Sequence, residues 1–264
     1  MIEAIAMGAG IAFACGLLLA LAARYLSVPS DPRVEQLIKL LPGVNCGACG
    51  YPGCAELAKA IAAKKETAGV CPVCDAQNRR EIAAVFGVDL VVEEVRRTAL
   101  VMCGGSLKTA GRRFTYNGIA ECAAAAAVAG GDKSCAFGCL GYGTCAHVCI
   151  ENAIAIKDGL AVVDRARCVS CGKCATACPR KLIRMVRERK GPDIHVLCSS
   201  PEKGAAVRKV CANGCTGCKV CLKLAPEAFK MRSEFLVARD YLKPPPANPD
   251  EVAAKCPGRC IHRA

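Results

Sequence analysis

Cys-Val-Ser-Cys-Gly-Lys-Cys-Ala-Thr-Ala-Cys-Pro, residues 168–179, is the stretch that decides the fold of this chain. Its cysteines follow the CxxCxxCxxxCP spacing, in which a tight loop supplies three thiolates to one four-iron cluster and the fourth cysteine crosses to a neighbouring cluster. CxxC pairs also suit tetrahedral zinc, but zinc sites usually come as two separated pairs. The spacing therefore indicates an iron–sulfur site.

The composition favours small modules over one large core. The chain has 264 residues, with 23 cysteines, 6 phenylalanines, 5 tyrosines and no tryptophan. So few aromatic side chains argue against a large conventional core, whereas bound metal can hold small modules together. Disulfides belong to oxidising compartments, and the cysteine spacing here is that of metal ligands, so we expect a reducing environment. The net charge of +13 indicates either a solvated basic surface or an acidic partner.

The amino-terminal segment is apolar. Residues 4–23 form an uncharged stretch of 20 residues, long enough to cross a bilayer as a helix. Arg24, Arg33 and Lys39 follow it, so the positive-inside rule places the rest of the chain on the cytoplasmic side. We expect a single-pass anchor in the cell (inner) membrane, residues 1–26, and then a linker, residues 27–33.

A second cysteine motif lies in the next predicted domain, residues 34–90. Residues 43–54 read Gly-Val-Asn-Cys-Gly-Ala-Cys-Gly-Tyr-Pro-Gly-Cys, between a short predicted helix at 34–41 and a second one that starts at Cys54. The glycines let the backbone wrap closely around a cluster. Cys74 is an alternative to Cys71 as the distal ligand. The predicted ligands of the first cluster are Cys46, Cys49, Cys54 and Cys71.

This order of motifs resembles a known family. An apolar amino terminus, the Gly-Val-Asn-Cys loop and then ferredoxin repeats resemble the B subunit of the Rnf complex, an ion-translocating ferredoxin:NAD oxidoreductase. The resemblance implies an electron-transfer subunit of a membrane-bound complex that moves Na+ or H+. Reduced ferredoxin would be the electron donor, and 4Fe-4S clusters would relay electrons to flavin-bearing partner subunits and finally to NAD. Its partners would be the other membrane and peripheral subunits, with no nucleic acid.

Residues 135–190 form a predicted two-cluster ferredoxin module. The first half is a stretched version of the ferredoxin run, with Ile150 where proline is usual. Residues 155–163, with Asp158-Gly159 at the centre, predict a β-hairpin that leads to Cys168. Two such halves make the pseudo-symmetric ferredoxin-like fold. By that logic the second cluster is held by Cys135, Cys139, Cys145 and Cys178, and the third by Cys168, Cys171, Cys174 and Cys149.

Residues 191–264 form a predicted single-cluster module. The CxxCxxC loop recurs, but Ala225 stands where a fourth cysteine is expected. This resembles single-cluster ferredoxins, in which the crossing cysteine is absent because there is no second cluster. Cys256, followed by Pro257, would then be the fourth ligand, and Cys260 is unassigned. The predicted ligands of the fourth cluster are Cys215, Cys218, Cys221 and Cys256.

An internal repeat begins in the connecting segment, residues 91–134. A strand, a cysteine, two small residues and a second cysteine occur there and again after residue 194. Four clusters are predicted without this repeat, and its four cysteines are the number that a fifth would need. The alternative is buried free thiols, which behave as small hydrophobic side chains. The cysteines of this extra site are Cys103, Cys122, Cys198 and Cys211.

The densest basic run of the chain follows Cys178. It lacks interleaved aromatic residues and any known nucleic-acid motif, so that interpretation is weak. An acidic electron carrier is the better candidate partner, and a plain solvated face is the alternative. The residues of this candidate docking surface are Arg180, Lys181, Arg184, Arg187, Arg189 and Lys190.

Together these features predict an α+β chain: a single amino-terminal transmembrane helix, a small α-helical 4Fe-4S domain, and two-cluster and single-cluster ferredoxin-like modules. No nucleotide-binding motif or activated nucleophile is present in the sequence, so we expect no bond chemistry from this chain alone. Its enzymatic role would be that of a subunit in a translocase and oxidoreductase complex. The alternatives are a membrane-tethered polyferredoxin for another oxidoreductase and a zinc-stabilised scaffold with no redox role.

Overall fold

A computed structural model of the chain describes residues 2–25, 31–86, 96–188 and 193–263. Helix α1 spans Ile2–Tyr25. Within the described residues, no helix combines the length and the apolar character needed to cross a membrane. Most of the predicted linker, and the Val/Leu-rich segment that starts at residue 87, lie outside the described residues.

Three helices form the amino-terminal domain: α2 (Pro32–Leu40), α3 (Cys54–Ala62) and α4 (Ala76–Phe86), with a 3-10 turn at Ala68–Val70. Asp31 caps α2, because its carboxylate accepts a hydrogen bond from the amide of Arg33 at 2.9 Å and proline is favoured in the first turn. The predicted helix at 34–41 therefore starts earlier than expected. Leu37, Leu57 and Ile82 are buried where the three helices meet.

The strands of the described residues pair into short antiparallel ribbons. Strand β1 (Arg97–Val101) pairs with β4 (Ile183–Arg187), and β2 (Ile154–Lys157) pairs with β3 (Leu160–Val163). Strand β5 (Ile194–Val196) pairs with β8 (Ile261–Arg263), and β6 (Phe229–Met231) pairs with β7 (Val237–Arg239). Two-stranded ribbons are marginally stable by themselves. The modules must therefore be stabilised by the groups that are buried between the ribbons, among them cysteine side chains.

The predicted β-hairpin is confirmed. Strands β2 and β3 are joined by Asp158 and Gly159, whose φ angles are 48° and 64°. Two consecutive positive φ angles match the type I′ turn that Asp-Gly favours. This turn brings the chain back to the cysteine loop that starts at Cys168.

Short helices lie among the later cysteines: α5 (Cys122–Ala127), α6 (Thr144–His147), α7 (Lys173–Ala177), α8 (Gly204–Val210), α9 (Val220–Leu224) and α10 (Pro249–Ala254). Helices α6, α7 and α9 start in the same way. Each follows a residue with a left-handed backbone: Gly143 and Gly172 at φ 84° and 76°, and Lys219 at φ 59°. The second residue of each helix is a buried cysteine. This repeat supports the prediction of related ferredoxin-like halves.

Buried polar residues lock the carboxy-terminal module. The Arg239 guanidinium is fully buried and donates to Asp193 Oδ1 at 3.1 Å and to the carbonyls of Ala228 and Asp240 at 2.8 and 2.6 Å. Its hydrogen bonds therefore fix β7 against the segment that enters β5. Such a pair costs several kcal/mol when one partner is removed, about 3–5 kcal/mol in comparable cases.

His195 links this module to the preceding one. Its Nε2 lies 3.1 Å from a guanidinium nitrogen of Arg165, and its Nδ1 lies 3.0 Å from the hydroxyl of Tyr241. Because arginine can only donate, Nε2 is the accepting nitrogen and the neutral ring carries its hydrogen on Nδ1. His147 and His262 are exposed.

Candidate metal centres

Five cavities of the described chain are each lined by at least four cysteines, with volumes of about 290 to 370 Å³ including the part open to solvent. Every one of the 23 cysteines is free, so none is committed to a disulfide. No group of three or more His, Cys, Asp or Glu side chains in the described ranges is arranged to hold a single metal ion. The cysteines that line these cavities are therefore spread around the cavity walls and do not converge on a single point.

The N-terminal site contains the four cysteines predicted for the first cluster. Cys46, Cys49, Cys54 and Cys71 line one cavity at the start of α3. Asn45 fixes the loop, since its side-chain oxygen accepts a hydrogen bond from the Cys54 amide at 2.8 Å. The alternative ligand Cys74 is buried within this domain's core and lies outside the cavity wall.

The downstream ferredoxin site contains the four cysteines predicted for the third cluster: Cys149, Cys168, Cys171 and Cys174. The Cys149 sulfur accepts a hydrogen bond from the amide of Ala153 at 3.3 Å. Arg96 clamps the loop that leads into the site, because its guanidinium donates to the carbonyls of Arg165, Ala166 and Cys168 at 3.0 to 3.2 Å. Arg96, which directly precedes β1, thereby positions the cysteine loop.

The upstream ferredoxin site differs from the sequence-based assignment. Its cavity is lined by Cys122, Cys139, Cys145 and Cys178, with Cys122 in the place predicted for Cys135. The exchange has a physical reason: Thr144 Oγ1 accepts a hydrogen bond from the Cys122 amide at 2.8 Å and thereby docks the start of α5 on α6. The amide of Leu182 donates to the Cys178 sulfur at 3.4 Å, as that of Ala153 does to Cys149.

Cys135 lies in another cavity, which we call the four-segment site because its cysteines come from four separate segments. The repeat cysteines Cys103, Cys198 and Cys211 line it together with Cys135. The structure therefore brings together three of the four cysteines predicted for the extra site and replaces Cys122 by Cys135. Lys133 is part of the same wall and is only 1% exposed.

The C-terminal site is lined by the four predicted cysteines and by Cys260, which sequence reasoning left unassigned. Its predicted members are Cys215, Cys218, Cys221 and Cys256. The Sγ atoms of Cys256 and Cys260 are 3.7 Å apart. A hydrogen bond from Cys260 lowers the pKa of Cys215 to about 6 and that of Cys256 to about 5. Cys260 therefore favours the thiolate form of two neighbours.

At several other thiols burial raises the pKa. It raises the pKa of Cys145 to about 12, and the neighbouring thiolates, Cys174 among them, add to the shift. Burial also raises the pKa of Cys174 and of Cys198 to about 11. Cysteine binds metal as a thiolate. A bound cation would therefore offset the repulsion between neighbouring thiolates and the cost of burying their charge, and its binding would release the thiol protons. The thiolate donor set suits an iron–sulfur cluster.

Neighbouring sites lie close to one another. Burial raises the pKa of the Cys171 thiol, and Cys46 of the N-terminal site is among the charges that add to the shift. The N-terminal domain thus lies within electrostatic range of the downstream ferredoxin site.

One residue of the candidate docking surface has partners within the chain itself. Arg180 is half-buried, and its guanidinium donates to the carbonyl of Cys135 at 3.1 Å and to those of Gly138 and Gly130. Burial lowers its pKa. Arg180 therefore holds the loop around Cys135. Lys181 is exposed, Arg184 and Arg187 are half-buried, and Arg189 and Lys190 lie outside the described residues.

Family models match three parts of the chain. The "Fe-S cluster" model matches residues 41–73, the "4Fe-4S binding domain" model matches 160–183, and the "4Fe-4S single cluster domain of Ferredoxin I" model matches 211–263. These ranges contain the N-terminal loop, the CxxCxxCxxxCP run and the carboxy-terminal module. Several 4Fe-4S domains are thus present in a chain of mixed helix and strand.

Curated relatives cover most of the chain. The B subunit of the ion-translocating oxidoreductase complex of Methanosarcina acetivorans is 36% identical over 92% of this chain and 91% of its own length. This chain belongs to that B-subunit family. Two further members are similar to it over a smaller share of the chain. One is the B subunit of the Na(+)-translocating ferredoxin:NAD(+) oxidoreductase complex of Acetobacterium woodii, which is 40% identical over 81% of this chain and 65% of its own length. The other is the B subunit of the proton-translocating ferredoxin:NAD(+) oxidoreductase complex of Clostridium ljungdahlii, which is 34% identical over 76% of this chain and 70% of its own length. The resemblance predicted from the cysteine motifs, to the B subunit of the Rnf complex, is confirmed.

Proposed function

We propose that this chain is the electron-transfer subunit of a membrane-bound, ion-translocating ferredoxin:NAD oxidoreductase. It would receive electrons from reduced ferredoxin and pass them to flavin-bearing partner subunits and ultimately to NAD. The names of its relatives in the B-subunit family support the complex and the donor. The observation that carries the proposal is the series of cysteine-lined cavities. Each of them has a cysteine that contacts or electrostatically affects a cysteine of another.

The cavities fit 4Fe-4S clusters as the resident cofactors. Such a cluster supplies storage and transfer of single electrons, at a potential set by its ligands, by hydrogen bonds to sulfur and by burial. The chain's own residues provide those controls, since amides face the sulfurs of Cys149 and Cys178 and most of the cysteines are buried or half-buried. The proposed ligands of four clusters are those of the N-terminal, upstream ferredoxin, downstream ferredoxin and C-terminal sites.

Exposure supports a direction for electron flow. Cys218 of the C-terminal site is exposed, so a soluble carrier can approach that site closely. The N-terminal site follows α1 in the sequence, and we propose that it delivers electrons to the membrane subunits.

We also propose that the uncharged residues 4–23 anchor the chain by one span, with the remainder on the cytoplasmic side. Deleting residues 2–25 should release the chain from membranes.

Metal analysis of the full-length, anaerobically purified chain tests this function. Iron, acid-labile sulfide and zinc are measured together, and electron paramagnetic resonance (EPR) spectra are recorded before and after reduction. We expect iron and sulfide in equal amounts and cluster signals that appear on reduction. Stoichiometric zinc without iron would contradict the proposal and support a non-redox scaffold.

Copurification with flavin-bearing, multi-span partners separates the proposed complex from a polyferredoxin that serves another oxidoreductase.

A further inference from the structure

We propose that Cys103, Cys135, Cys198 and Cys211 hold a fifth 4Fe-4S cluster, which bridges the C-terminal site and the upstream ferredoxin site. The inference rests on the proposed function, because it treats the cysteine-lined cavities as cluster sites. The four residues come from the loop after β1, the loop before α6, the loop after β5 and the end of α8. Four thiols from such distant segments meet in one cavity wall.

Hydrogen-bond donors surround the sulfurs of the four-segment site. The Cys103 sulfur accepts a hydrogen bond from the Cys139 amide at 3.4 Å. The other three sulfurs also face backbone amides as acceptors: Phe137 toward Cys135, Cys215 and Ser200 toward Cys198, and Asn213 toward Cys211. Amide donors of this kind stabilise thiolates and tune clusters. Free thiols that merely fill a core need no such donors.

A buried cation completes the wall. The Lys133 ammonium donates to the carbonyl oxygens of Gly105 and Gly159 at 2.5 and 3.2 Å, and its charge acts on Cys211 and Cys139. Burying an ammonium is costly unless negative charge compensates it. A cluster with four thiolate ligands is an anionic group, so the lysine and the cluster would stabilise each other.

The position of the four-segment site makes it a bridge. Cys103 receives the amide of Cys139, a residue of the upstream ferredoxin site. Cys198 receives the amide of Cys215, a residue of the C-terminal site. On each side, the backbone amide of a cysteine in the neighbouring site therefore contacts a sulfur of the four-segment site. Electrons that enter at the C-terminal site would otherwise have to pass the width of this cavity without an intermediate cluster.

Serine substitutions test the fifth cluster in the full-length, anaerobically purified chain. Five clusters predict about 20 iron atoms per chain, and Cys198→Ser or Cys211→Ser should lower this to about 16. Cys74→Ser is the matched control, because Cys74 is also a buried cysteine but lies outside the cavity walls, and it should retain the full count. Unchanged iron in both ligand variants would overturn the proposal.

Native mass spectrometry of the unaltered chain gives a second test that does not depend on variants folding. A mass that corresponds to five clusters supports the proposal. Four clusters, or four clusters with one zinc ion, overturn the fifth cluster and leave the electron-transfer function standing. A chain without iron overturns both.

Discussion

The backbone amide of Cys139 donates a hydrogen bond to the sulfur of Cys103 at 3.4 Å. Cys139 lines the upstream ferredoxin site and Cys103 lines the four-segment site, so the two sites share a wall. Together with the Cys215 amide at Cys198, this contact arranges the sites in a row. These contacts give the order C-terminal, four-segment and upstream ferredoxin site. The downstream ferredoxin site follows, because the charge of its Cys174 acts on Cys145, and then the N-terminal site, because the charge of its Cys46 acts on Cys171.

Double substitutions distinguish the ligand sets in the structure from those read from the sequence. Cys135 and Cys198 line the same cavity, so Cys135→Ser with Cys198→Ser should remove one cluster, about 4 iron atoms. Cys122→Ser with Cys198→Ser affects two cavities and should remove about 8. The sequence-based assignment predicts the reverse order of losses. Iron and sulfide analysis of the two variants decides between them.

Replacing Lys133 by methionine should lower the reduction potential most strongly for the cluster of the four-segment site, whose wall contains Lys133. The reduced cluster is the more negative form, and a buried ammonium stabilises it. Removing about 1–2 kcal/mol of this interaction corresponds to a fall on the order of 50–100 mV, measured by EPR-monitored redox titration. Lys157→Met is the control, because Lys157 is exposed on the β-hairpin. Equal titration curves for the two variants would contradict the assigned role of Lys133.

Acidification should destabilise the chain through His195. Burial, with Arg165 adding, lowers the pKa of His195 from its usual 6.5 to about 4. Between these values the unfolded chain binds a proton that the folded chain does not, so stability falls as the pH drops from about 6.5 to about 4. The unfolding temperature should therefore fall less steeply with pH in His195→Gln than in the unaltered chain. His147→Gln, a change at an exposed histidine, should leave the slope unchanged, and a normal slope in both variants would count against this account.

Ferredoxin should dock near the exposed Cys218. Lys219 and Lys223 are exposed beside it and offer positive charge to an acidic carrier. Lys219→Glu with Lys223→Glu should slow reduction by ferredoxin roughly ten- to a hundredfold at low salt, because steering acts on the association rate. The difference should shrink as salt screens the charges. Lys65→Glu with Lys157→Glu makes the same charge change elsewhere, and equal slowing by that pair in stopped-flow experiments would argue against this docking site.

Local spacing was enough to predict much of the architecture. The Asp158-Gly159 hairpin and the helix that starts at Cys54 follow from short-range rules, and both are present. The cysteines grouped by one loop and one distal residue also meet in single cavities, as in the N-terminal site. Short sequence intervals fix these features because the backbone between the residues has few ways to turn.

The exchange of Cys122 and Cys135 could not be found in this way. Cys122 lies far upstream of the ferredoxin run, and the hydrogen bond from its amide to Thr144 decides which cavity it joins. The burial of Lys133 and Arg180 was equally hidden, because each is held by carbonyl groups of distant loops. A basic residue in a basic run gives no sequence signal that it faces inward.

The most direct test of the account mixes the full-length, anaerobically purified chain with reduced ferredoxin and records EPR spectra of both proteins. The account predicts that ferredoxin is oxidised, that the chain takes up several electrons, and that Cys198→Ser takes up fewer because the bridge is lost. A chain that retains its iron but leaves ferredoxin fully reduced would contradict the central claim that these cysteine-lined sites form a path for electrons.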